Sequence, residues 1–186
     1  MEDKCRIENQ KSFEKALARA EPMGKLSKFL FTHEKELLES GKLFNITHRG
    51  STSAWLEAPS SVAPDGCTNV YRPMGDLEVR YLVEHKLLPD TQPYQAIIEG
   101  EVGRAYANKY LSGKKWTDTE PSTVVEFTCP KDLIEQLKKI QMKVEDGALS
   151  MGLGNKAGGG LPLFNKCLAD GTSTFRIVKV KRVMPS

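Results

Sequence analysis

Apolar positions recur at helical spacing near the start of the chain and at strand spacing further on. Phe13, Leu17 and Ala20 stand at i, i+4 and i+7, which predicts a short amphipathic helix from Asn9 to Ala20, stopped by Pro22 and Gly24. Leu26, Leu30 and Leu37 share one side of a second predicted helix from Lys25 to Ser40, with His33 on the same face and Gly41 as its stop. Leu43 to Thr47 alternates apolar and polar side chains and reads as a strand. The segment His48 to Ser53, HRGSTS, allows two readings. It is either an anion-binding strand end, since guanidinium and hydroxyl donors match phosphate oxygens, or a polar turn before Trp55 and Leu56. Ala58 to Asp65, APSSVAPD, is loop by composition.

The stretch from Asn69 to Tyr110 organises the rest. An extended segment ends on Tyr71-Arg72 and is broken by Pro73 and Gly75. Asp76 is placed to cap the next helix, for which Leu77, Tyr81 and Leu88 supply the expected buried face. Pro89 and Pro93 frame a loop, Tyr94 to Ile98 is a second extended segment, and a further helix follows. On it Val102, Tyr106 and Tyr110 fall at i, i+4 and i+8, either as part of the core or as a functional face. Ser122 to Phe127 is a β-branched strand interrupted by Glu126, which faces solvent or points into a cleft. Pro130 opens a helix with Leu133, Ile134, Leu137 and Ile140 on one side.

Glu145 to Asn165 has the highest glycine density, yet it matches neither a dinucleotide fingerprint nor a P-loop. Its glycines either expose backbone N–H groups to a ligand or supply a loop. Thr174 to Val183, TFRIVKVKRV, is a closing strand. Its Arg176, Lys179, Lys181 and Arg182 suit either nucleic-acid contact or a lysine-protected sheet edge, with the edge favoured.

Helices first, then strands separated by irregular helices, give an α+β class with a mixed or antiparallel sheet. The expected division is an N-terminal helical segment over residues 1–41 and a domain over 42–186. A formal charge of +3 is too small to imply nucleic acid by itself. No apolar run approaches a membrane span, and the charged N-terminus has no signal-peptide core, so a soluble cytoplasmic protein without membrane contact is expected. The four cysteines, Cys5, Cys67, Cys129 and Cys167, are far apart without a paired spacing, which argues against a zinc site and suits free thiols in a reducing compartment.

A strand ending in Tyr-Arg, a helix, a loop and strand, then a helix with a tyrosine pair resembles the ADP-ribosyltransferase fold of poly-ADP-ribose polymerases and toxins. The wording of segments from Phe44 to Val183 is also similar to the virus- and interferon-induced antiviral proteins of fish. The resemblance implies an ADP-ribosyltransferase-like core using NAD as substrate, a protein or nucleic-acid acceptor, and a role in innate antiviral defence. It gives Arg72 the NAD-anchoring role, with His48 as a rival separated from Gly50 by Arg49. It places Tyr106, in AYANKY with Tyr110, against the nicotinamide. Glu126 or Glu145 would be the catalytic carboxylate, stabilising oxocarbenium-like charge on the ribose. Three activities follow: mono-ADP-ribosyl transfer, binding of RNA, nucleotide or protein by an inactive member of the fold, and RNA binding through the closing strand with Lys114, Lys115 and Trp116.

Overall fold

Strand alternation places apolar side chains on both faces of a single antiparallel sheet, which helices then cover. The computed structural model describes residues 42–48, 51–90, 96–111, 121–140, 144–145, 148–150 and 159–184. The strands are β1 (Lys42–His48), β2 (Ser51–Glu57), β3 (Cys67–Met74), β4 (Ala96–Glu99), β5 (Thr123–Pro130), β6 (Val144–Glu145), β7 (Ala148–Ser150) and β8 (Thr174–Met184). They form an eight-stranded sheet in the order β1-β2-β8-β5-β3-β4-β7-β6. Each neighbouring pair is antiparallel. The fold is α+β. The predicted N-terminal helices, the 1–41 segment, Tyr94, Lys114 to Trp116 and most of the glycine-rich segment lie outside the described residues.

Among the described residues there are four helices: α1 (Asp76–His85), α2 (Gly100–Tyr110), α3 (Lys131–Ile140) and α4 (Leu161–Ala169). One face of the sheet carries the main core. Val70, Met74, Val125, Phe127 and Ile177 pack there against Val79 and Leu82 of α1, Leu133, Ile134 and Leu137 of α3, and Phe164 and Leu168 of α4. The residues between them in sequence, Tyr71, Val124 and Val178, point the other way and meet Ala107 and Leu111 at the end of α2. Among the described residues, three helices cover one face of the sheet and one covers the other.

Several expectations change. Ser51 to Ser53 belong to β2 rather than to a turn, with His48 opposite Ser51. On α1, Leu77 and Tyr81 are exposed at 53% and 37%, and Leu88 is buried beyond the helix end. Charge sets that helix's phase: Glu78 turns inward to a 2.7 Å ion pair with Arg72, and Asp76 accepts from Ser122 instead of capping. The stripe of Val102 and Tyr110 on α2 is exposed at 74% and 49%, not core. Finally, β8 is an interior strand between β2 and β5, not an edge. Helix α4 is an element the sequence reading does not contain. Pro162 is accommodated in its first turn, where no intrahelical N–H is required.

Candidate functional site

Register decides which of the candidate side chains can meet. Tyr71 lies opposite Glu126 in the β3–β5 pair, and Glu126 lies opposite Arg176 in the β5–β8 pair. Opposed residues share a face, so these three form a polar row across three central strands, on the α2 side. The Tyr71 hydroxyl donates to Glu126 Oε2 at 2.8 Å, and the Ser61 N–H donates to the same oxygen at 3.0 Å. Arg176 Nε stands 3.5 Å from Glu126 Oε1. That distance is ion pairing without a well-formed hydrogen bond. Glu126 is 1% exposed, so its charge is held by these partners and not by water.

The segment from β2 into the following loop closes over this row. Arg104 of α2 donates to Ser60 Oγ at 2.7 Å, to the Ala58 carbonyl, and to Glu57 Oε1 at 3.3 Å. Arg176 also donates to the Pro59 carbonyl. Asn69 donates to the Ser61 carbonyl at 2.6 Å, and Lys179 Nζ lies 3.9 Å from Glu57. Burial pushes the Tyr71 phenol above its ordinary value, the Ser60 hydroxyl pulls it back, and the Glu126 carboxylate raises it further. Burial also lowers Lys179, against the pull of Glu57.

Arg72 is on the other face. As the neighbour of Tyr71 in a strand, it points toward α1 and is buried in its pair with Glu78. Arg72 and Glu126 are thus separated by the thickness of the sheet. Tyr106 and Tyr110 stand apart from both, on the outer side of α2. Their hydroxyls are 2.7 Å apart, and their ring centroids are 5.1 Å apart at 56°. With Val102, Ala105 and Lys109 they are the described lining of an open groove of about 610 Å³. His48 ends β1 and Glu145 ends β6, and their side chains lie outside the described part.

Sequence reasoning singled out Glu126 but not Tyr71, Ser60, Ser61 or Arg104 as its surroundings, and it assigned Arg176 to a solvated edge. Tyr71 and Arg176 become visible only once strand order and register are known. A charge interrupting a β-branched run was the one available signal. Cys67, Cys129 and Cys167 are free thiols. Among the described residues, no group of three or more His, Cys, Asp or Glu side chains is placed to hold a metal ion, and no helix is long and apolar enough to cross a membrane.

A comparison of the chain with protein-family models, with curated proteins and with solved structures finds no match.

Proposed function

We propose that this chain is an ADP-ribosyltransferase-like domain that binds NAD or a related adenine nucleotide and acts through binding instead of turnover. The observation that carries the reading is a separation. Arg72 and Glu126 stand on opposite faces of the sheet, each engaged with buried partners, while the tyrosine pair and Lys109 line an open groove. Tyrosine rings offer faces for a nicotinamide or adenine ring, and the Lys109 ammonium suits a phosphate. The implied setting, innate antiviral defence in the cytoplasm, rests on the resemblance to the fish proteins.

Calorimetric titration with NAD, ADP-ribose and AMP tests the reading, together with chromatography of nicotinamide after long incubation with NAD. Binding that is lost in Tyr106→Ala, without nicotinamide release above the uncatalysed background, is the expected result. Nicotinamide release that falls in Glu126→Gln would overturn the non-catalytic assignment and make Glu126 the working carboxylate of a transferase. Salt-dependent RNA binding in the absence of any nucleotide binding would move the function to a nucleic-acid surface.

A further inference from the structure

Helix α2 carries the groove, and its apolar hold on the sheet is concentrated at its C-terminal end, where Ala107 and the fully buried Leu111 meet Tyr71, Val124 and Val178. Of its eleven residues only Gly103, Arg104 and Ala107 are buried. Two of the three inward positions are therefore a hydrogen and a methyl group. They permit close approach: a Cβ on Gly103 would lie 2.1 Å from the Ile98 carbonyl oxygen. Small residues make few contacts that resist rotation of the helix about its own axis, and Leu111 adds such contacts only at the C-cap, past the last helical residue.

Arg104 supplies what they lack. Its guanidinium is buried and donates to three acceptors, Ser60 Oγ, the Ala58 carbonyl and Glu57 Oε1. Those acceptors are fixed from other elements. Ser61 N–H is held by Glu126 of β5, the Pro59 carbonyl by Arg176 of β8, the Ser61 carbonyl by Asn69 of β3, and Ala58 N–H by the Val178 carbonyl. Helix residues are spaced by about 100°, so Val102, Tyr106, Lys109 and Tyr110 occupy the side of α2 turned away from Arg104. A planar fork with several fixed partners sets both the depth and the rotation of the helix that bears it.

We propose that Arg104 is the positioning residue of the tyrosine groove: it does not touch the ligand, but it determines where Tyr106, Lys109 and Tyr110 stand. The buried polar row around Glu126 then has a mechanical role, holding the segment into which Arg104 hooks. The consequence for affinity rests on the groove being a nucleotide site; the consequence for ring position does not.

The full chain labelled with 3-fluorotyrosine gives a fluorine spectrum of five tyrosines, assigned by single Tyr→Phe changes. In Arg104→Met the Tyr106 and Tyr110 resonances shift while that of Tyr81 on α1 stays in place. The NAD dissociation constant rises about tenfold, the scale of one charged hydrogen bond. A core variant on α3, Leu133→Ala, controls for general loss of stability and leaves the Tyr106 and Tyr110 resonances where they are. Should Arg104→Met fail to fold, the double variant Ser60→Ala/Glu57→Met removes two of the three acceptors and is read the same way. Unmoved Tyr106 and Tyr110 resonances in the folded variant overturn the proposal. Absence of NAD binding by the unaltered protein overturns the nucleotide reading instead, and the resonances still decide the positioning role.

Discussion

Glu126 is a carboxylate that the fold surrounds with donors on every side described: a phenol, a backbone N–H and a guanidinium. Removing Tyr71's hydroxyl in Tyr71→Phe takes away one donor and should lower stability by about 1 kcal/mol, measurable by urea unfolding. Glu126→Gln keeps the shape but leaves Arg176 without its charge partner. A loss of about 1–3 kcal/mol is expected there. Alkaline behaviour follows from Tyr71 and Cys129 together. Burial pushes the Cys129 thiol from 9.0 up to about 12, with the Ser173 hydroxyl acting in the opposite direction. Both groups have folded values above their unfolded ones. Above the unfolded value the unfolded chain has already lost its proton and the native one has not, so stability is full below pH 9.0 and falls as pH rises toward about 12. Cys129→Ala should flatten the thiol's share of that decline in melting temperature. At neutral pH iodoacetamide should alkylate the partly exposed Cys67 and Cys167 and spare Cys129, as peptide mass mapping will show. At this scale the sequence disclosed Glu126 as an anomaly, because a charge inside VVEF stands out. Its partners were hidden, since nothing local relates Tyr71 or Arg176 to position 126.

Elements were legible where one pattern dominated and misread where two competed. The β5 strand and the inward side of α3 follow directly from β-branched and 3.6-residue patterns, although Ile140 turns out exposed. On α1 the Leu77–Tyr81 stripe competed with Val79–Leu82, and the ion pair of Glu78 with Arg72 places the second stripe inward. The same reason governs α2, where periodicity highlighted Val102, Tyr106 and Tyr110 but the helix buries its small residues. Gly103 gives the sharpest test of that packing. Its missing Cβ is replaced by the Ile98 carbonyl, and main chain cannot rotate aside as a flexible side chain can. Gly103→Ala should cost about 1–3 kcal/mol and shift the fluorine resonances of Tyr106 and Tyr110 as α2 is pushed off β4. Wild-type melting and unmoved resonances in that variant would mean that α2 does not pack as closely as described.

At the scale of the whole molecule, the α+β class was readable from the order of patterns, but the strand order was not. Arg176 and Lys179 gave TFRIVKVKRV the look of a solvated edge. In the sheet β8 lies between β2 and β5, and those two charges are spent on Glu126 and Glu57. Long-range antiparallel pairing leaves no local trace, so charges that cross-strand carboxylates satisfy cannot be told from charges that water satisfies. The same topology puts Arg72 and Glu126 on opposite faces, and among the described residues Val102 and Tyr110 stand exposed on the outer side of α2. The decisive measurement is the melting temperature of the full chain with and without millimolar NAD, in the unaltered protein and in Tyr106→Ala/Tyr110→Ala. A ligand that binds only the folded state must raise the melting point. A rise with the unaltered protein that disappears in the double variant is the predicted result. No rise, or one that persists without the tyrosines and disappears in Arg72→Ala, would contradict a nucleotide site on α2.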